Sequence, residues 1–350
     1  MYRDEMTPME RVTAALAFHE PDRVPFFLLL TMHGARALGL GIREYFAKPE
    51  HVVRAQLLMQ AKYRHDCLYP FFYAALEVEA FGGRVIYSEN GPPNVGCPII
   101  ERPASIRDLK PPAVAGSDCL AKALAAISGL KQKSGDDIPI IGVVVSPFSM
   151  PVMQMGMEAY LLLMYEQPGL FWQLMEINTE FCIQWANAQL AAGATAICYF
   201  DPMSSPDMIP PELYRETGFL LACRTLAAIE GPTATHLASA RCLPLMEDLF
   251  KTGTNIVCPG PGEELARVKE ACAGRMAVLG NLNSVEMRRW SAGEAAERVQ
   301  WLISAAAAGG GFILAESHGE IPYQVPEKTL MAIAKTVHAR GQYPLQPHQG

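Results

Sequence analysis

From about residue 139 onward the chain repeats one pattern: a short β-branched or apolar run, a loop rich in Pro, Gly or Asn, and a longer amphipathic stretch. The runs are "IPIIGVVV" (138–145), "ATAICYF" (194–200), "GPTATHLA" (231–238), "TNIVC" (254–258), "MAVLG" (276–280) and "GFILA" (311–315). Between them helices are predicted over 169–191, 211–229, 243–251, 262–272, 293–308 and 326–340. In the first, Leu174, Ile177, Phe181 and Trp185 recur at spacings of three and four and line one face. Two earlier apolar runs, "RVPFFLLL" (23–30) and "DCLYPFF" (66–72), bring the strand count to eight. Strands alternating with helices imply parallel pairing, and eight such units close a (β/α)8 TIM barrel. A doubly wound open sheet is the structural alternative, but no GxGxxG follows the first run. Residues 82–100 break the pattern. Their alternation and Asn-Gly-Pro-Pro turn predict a small β excursion after the second strand, followed by a proline-bearing linker over 101–116. The expected organisation is a single barrel domain over 1–350, with 341–350 as a tail.

Composition narrows the function classes. Half of the 350 residues are hydrophobic and 19% are charged, enough apolar material for one large core. A net charge of -7 gives no basic footprint for nucleic acid. The longest apolar runs fall short of the roughly 18 residues that a membrane span needs. The N-terminal dozen residues are charged and lack the apolar core of a secretory signal. Nine cysteines without CxxC spacing suit a reducing compartment, so the expected location is cytoplasmic and most of the cysteines are expected to be core residues.

In a (β/α)8 barrel the working surface is formed where the strands end at their C-termini. A polar residue stands near most of these ends: Ser146, Asp201, His236, Asn281, Asn283, Glu316 and His318. Along a strand alternate side chains share a face, so Glu316 and His318 are expected to point one way and Ser317 the other. Asp201, His236, Glu316 and His318 are the candidate catalytic residues, and Phe148, Asn281, Asn283 and Tyr323 the candidate substrate contacts. Met150, Met153, Met155 and Met157 suit either an apolar wall or the core. Glu77 or Glu79 reaches the mouth from the excursion. His65 is expected at the surface or as a helix C-cap, and His19, His51, His338 and His348 at the periphery.

The stretches "MTPMERVTAALAFHEPDRVPF" (6–26), "ALEVEAFGG" (75–83), "SPFSM" (146–150), "DPMSSPDMIPPELY" (201–214), "THLAS" (235–239), "VLGNLNS" (278–284) and "FILAESHGEIPYQVP" (312–326) occur in the order found in the uroporphyrinogen decarboxylase superfamily, which the chain resembles. It is most similar there to the corrinoid-linked methyltransferase branch, the methylcobamide:coenzyme M type. That resemblance implies a (β/α)8 fold and methyl transfer between a corrinoid, free or on a partner protein, and a small-molecule donor or acceptor. It also implies a homodimer, by analogy with the family's decarboxylases. The branch holds zinc with a His-x-Cys pair and a distant Cys. The matching positions here are His236, Ala238 and His318, so both thiolates are missing.

Two alternatives follow for the centre. A zinc ion is held by His236, Glu316 and His318 with one open position, or no metal binds and His236, Asp201, Glu316 and His318 form an acid/base cluster. Cys198, Cys242 and Cys258 lie near enough to strand ends to replace a lost ligand. The family's decarboxylases grip a polycarboxylate with several arginines and offer an aspartate after the second strand. This chain offers Arg36 alone at the first place, and Pro70, Phe71, Phe72 and Tyr73 at the second, so uroporphyrinogen-type decarboxylation ranks lower. A non-catalytic small-molecule-binding barrel is the remaining alternative.

Overall fold

The computed structural model describes residues 4–345; His348 and the end of the expected tail lie outside them. An antiparallel pair, β1 (Val85–Ile86) and β2 (Asn94–Val95), forms the excursion. Six parallel strands follow: β3 (Ile141–Val145), β4 (Ala196–Phe200), β5 (Thr233–His236), β6 (Ile256–Cys258), β7 (Ala277–Leu279) and β8 (Phe312–Ile313). They pair in sequence order. The two earlier apolar runs complete the ring with an irregular backbone. Phe26 bridges in parallel to Leu314 beyond β8, and Leu68 bridges to Ile140 beside β3. The Asp66 amide donates to the Phe26 carbonyl at 2.8 Å and joins the two runs to each other. The architecture is a (β/α)8 barrel.

Strand alternation sorts the side chains into two cores. Phe27, Leu29, Cys67, Tyr69, Val143, Cys198, Ala234, Ile256, Cys258, Ala277, Leu279, Ile313 and Ala315 fill the barrel interior, the packed filling expected of a small closed barrel. Residues on the opposite faces pack outward on the helices; Val144, Tyr199, Val257 and Val278 belong to that second core. Helix Pro168–Ala191 buries Leu174, Phe181 and Trp185. Helices Pro8–Leu16 and Ala292–Ala306 each begin with a capping box, built on Thr7 with Glu10 and on Ser291 with Glu294. These reciprocal bonds satisfy amides that a helix start otherwise leaves unpaired.

Two expectations are corrected by tertiary constraints. The 211–229 helix is broken at Thr217 into Pro211–Glu216 and Gly218–Ala227. Gly218 sits under the loop after β4, where an added Cβ would stand 2.6 Å from the Ser204 hydroxyl. His65 is fully buried, not on the surface. Residue Arg64 before it adopts a left-handed turn that directs the chain into the second barrel run.

The N-terminal end of the barrel is welded by charge. The buried Asp66 carboxylate accepts four hydrogen bonds: from Arg11 Nη1 at 2.7 Å, Arg23 Nη1 at 2.7 Å, Arg23 Nη2 at 2.9 Å and the Phe26 amide at 2.9 Å. Arg11 also grips Asp22 through Nε at 2.6 Å and Nη2 at 2.7 Å. Removing one member of a buried, fully bonded ionic set leaves the others charged and desolvated, at a cost of about 3–5 kcal/mol. Asp66→Ala is expected to lose that much stability in urea unfolding. Lys62→Ala, at the exposed ion pair with Glu327, is expected to lose less than about 1 kcal/mol.

Candidate functional site

β5 ends on His236, whose neighbours in register are Phe200 at the end of β4 and Cys258 at the end of β6. All three side chains lie on inward-facing positions at the C-terminal end of the barrel. The His236 ring is completely buried. Its Nδ1 accepts the Ala238 amide at 3.0 Å, and its Nε2 has no protein partner. Phe200 packs over it at 5.2 Å between ring centroids. Burial, reinforced by the nearby His318, lowers the His236 pKa to about 3, so the ring is neutral near pH 7.

The last strand supplies the opposite wall. β8 ends at Ile313; Glu316 forms one isolated bridge to Leu282, and residues 317–320 then bend away. His318 therefore lies in a turn and not on the strand. Gly319 at φ 97° makes the bend, pressed so close to Phe200 that a Cβ on it would lie 2.5 Å from the phenyl ring. The Ser239 amide donates to the Ser317 carbonyl at 2.8 Å and ties the loop after β5 to this turn. His236 and the 317–319 turn thus both border Phe200. His318 Nδ1 is buried without a hydrogen bond, 3.9 Å from Glu316 Oε2. Burial lowers the His318 pKa as well.

Glu316 is turned onto its own loop. Oε2 accepts the His318 amide at 2.6 Å and Oε1 the Gly319 amide at 3.0 Å. Burial raises its pKa to about 7, opposed by these amides and by the Ser284 hydroxyl. Asp201 is enclosed in the same manner. Its carboxylate accepts Ser146 Oγ at 2.5 Å, Ser149 Oγ at 2.8 Å and Ser204 Oγ at 2.5 Å, and its amide donates to the His236 carbonyl. Burial raises its pKa against the pull of the three hydroxyls. This carboxylate fastens the loops after β3 and β4 beside the end of β5.

The structure brings His236, His318 and Glu316 to one end of the barrel, with Asp201 behind the first. The expected substrate contacts are more dispersed. Phe148 is buried among Tyr160 and Phe171. Asn281 donates through Nδ2 to the carbonyls of Gly260 and Glu263, and Asn283 Oδ1 caps the Glu286 amide. Tyr323 is half-buried, with the Arg36 guanidinium 4.4 Å above its ring and bonded to its carbonyl. Cys198 and Cys258 are interior thiols; burial pushes Cys198 up to about 12 and Cys258 well above its ordinary value.

Sequence reasoning missed three supports: Phe200, the Tyr69 hydroxyl, which donates to the Gly319 carbonyl at 2.9 Å, and the serine set around Asp201. Phe200 had a readable signal, since the two-residue period from Cys198 places it inward, and of the serines only Ser146 stood out as a polar strand end. Glu77 does approach the C-terminal end, where its Oε1 accepts the Val145 amide at 2.8 Å. Its other oxygen is buried without a partner.

A zinc ion does not fit the donors as they are arranged. Both Glu316 oxygens accept backbone amides, and His236 is bonded through the ring nitrogen opposite its bare one. No group of three His, Cys, Asp or Glu side chains among the described residues converges to hold a metal. No helix among the described residues is long and apolar enough to cross a membrane.

The closed parallel barrel with ionisable side chains gathered at its C-terminal end is the layout of a (β/α)8 enzyme scaffold. The family model described as "Uroporphyrinogen decarboxylase (URO-D)" matches residues 7–340, and the chain belongs to that family. Among similar proteins, a methylcobamide:CoM methyltransferase, MtaA, of Methanosarcina barkeri is 26% identical over 162 residues, 46% of this chain and 48% of that protein. The match thus spans about half of the methyltransferase's length. A uroporphyrinogen decarboxylase of Cupriavidus pinatubonensis is 24% identical over 302 residues, 81% of this chain and 82% of its own. A solved methyltransferase from Methanosarcina mazei superposes with a TM-score of 0.79 at 21% identity, covering 96% of this chain and 99% of that one, and shares the fold.

Burial raises the Glu77 pKa to about 8, against an ordinary value of 4.5. The folded state therefore holds this proton more tightly, and its contribution to stability is full below about pH 4.5 and is lost as pH rises through 8. Glu77→Gln keeps the acceptor for Val145 and removes the titration. Its melting temperature relative to wild type is expected to rise between pH 5 and pH 9, by an amount reflecting on the order of a few kcal/mol.

Proposed function

We propose that the chain is a methyltransferase that moves a methyl group between a corrinoid, free or carried by a partner protein, and a small molecule held at the C-terminal end of the barrel. Its family includes both methyltransferases and decarboxylases. The observation that carries the choice is the engagement of Arg36. Its Nη2 donates to the Tyr323 carbonyl and its Nη1 to the Val325 carbonyl at 3.4 Å. The cation at the place where a polycarboxylate would need several is bonded to backbone, while His236 Nε2 and His318 Nδ1 stand bare. That inventory suits a small, weakly charged substrate.

In this mechanism His236 makes the first polar contact with the small molecule, and His318 faces it from the turn after β8. Glu316 fixes that turn, and Asp201 holds the loops around β4 and β5. Tyr323 and Asn283 contact what enters at the rim, while Phe148 and Asn281 steady the loops after β3 and β6. Phe200 excludes water above the imidazole, which strengthens each hydrogen bond below it. The corrinoid supplies the methyl-carrying chemistry when it is bound. Exposed apolar residues, Ile86 on β1 of the excursion and Met208 and Val285 on the loops after β4 and β7, suit the docking of the partner that would carry it. No step is assigned to zinc.

The protein is to be incubated with methylcobalamin and a panel of small thiols and alcohols, and loss of the cobalt–carbon absorbance followed. Methyl loss with at least one acceptor is expected, and His236→Ala is expected to slow it about a hundredfold or more with an unchanged circular dichroism spectrum. Conversion of uroporphyrinogen to coproporphyrinogen would establish decarboxylation in its place. Binding of small molecules without turnover of either substrate would leave a binding barrel.

A further inference from the structure

The hydrogen bond to His236 Nδ1 fixes more than the angle of the ring. A backbone amide can only donate, so the nitrogen that faces it carries a lone pair and the neutral imidazole bears its hydrogen on Nε2. Ala238 holds that amide in position from the left-handed region at φ 42°, and Ser239 follows at φ 56° with its own amide on the Ser317 carbonyl. The tautomer is therefore built into a turn anchored to the last barrel loop. A metal-ligating histidine has the reverse arrangement: a lone pair on the nitrogen toward the ion, and an N–H on the other nitrogen donating to a carboxylate or carbonyl.

His236 Nε2 is buried with nothing to receive its hydrogen, and His318 Nδ1 is buried and equally unpartnered. Glu316, whose Oε2 lies 3.9 Å from His318 Nδ1, is occupied by the amides of His318 and Gly319. Two buried ring nitrogens left unpaired at the same end of the barrel are costly unless a ligand completes them.

We propose that this place is a metal-free subsite for a neutral oxygen of the small molecule, a hydroxyl, ether or carbonyl oxygen, which accepts the Nε2–H of His236 beside His318. The proposal deepens the functional reading by naming the group recognised. It rests on that reading only in taking this end of the barrel as the substrate site, and its test needs no methyl transfer.

Nitrogen-15 NMR of the histidine rings in the intact protein reads the tautomer directly, with His236→Gln used to assign the signals. At neutral pH, Nδ1 of His236 is expected to appear as an unprotonated acceptor and Nε2 as an N–H. Ethylene glycol, as an oxygen-bearing probe, is expected to shift the Nε2–H signal, whereas zinc chloride leaves it in place and dialysed protein retains only substoichiometric zinc. A hydrogen on Nδ1, loss of the Nε2–H signal on adding zinc, stoichiometric zinc retained by wild type, or no response to ethylene glycol would each overturn the proposal. Methyl transfer can fail while these ring signals behave as expected, so the two failures are distinguishable.

Discussion

Closing a barrel requires every neighbouring pair of strands to meet, and here the seam between the first two runs depends on one carboxylate. The first two barrel runs lack a continuous ladder, partly because Pro25 and Pro70 have no amide hydrogen to give. Asp66 replaces the missing ladder bonds with a four-fold set of donors from the first helix, the first run and the Phe26 amide. That set fixes the height of the second run against the first, and the bridges to Leu314 and Ile140 then complete the ring. The end that gathers the imidazoles inherits its geometry from the opposite end.

At the end that gathers the imidazoles the same principle works by subtraction. Asp201 is wrapped by three hydroxyls, Glu316 by two amides of its own turn, and Asn281 by two carbonyls. Each polar group that can be satisfied locally is used to hold a loop in place. What remains unpaired there includes Glu77 Oε2 and one nitrogen on each of two imidazoles. A rigid surround with a few unpaired atoms is preorganised to recognise a ligand, because little has to reorder when it binds.

The six later strands were legible because each is buried on both faces and writes a continuous apolar run bounded by turn residues. The structure trims those runs by a few residues without moving them. The antiparallel excursion was legible from its turn. The interruption at Thr217 was not, since it answers to the packing of Gly218 under Ser204 in the loop after β4 and not to the apolar periodicity. At the site, the two-residue period located Glu316 and His318 near each other but assumed a strand where the chain already bends at Gly319. The role of Asp201 as a fastener was hidden for a similar reason: Ser146, Ser149 and Ser204 come from two separate loops. Polar residues mark where strands end, but only tertiary contact decides which of them are already occupied.

The contact between Phe200 and Gly319 has a bearing on protein engineering. Because the glycine has a positive φ and the phenyl ring fills the space where a side chain would begin, position 319 offers no room for diversity. Phe200 has an ordinary strand backbone and a side chain that can be trimmed. A library meant to open space beside His236 gains volume at the aromatic position and only misfolded clones at the glycine.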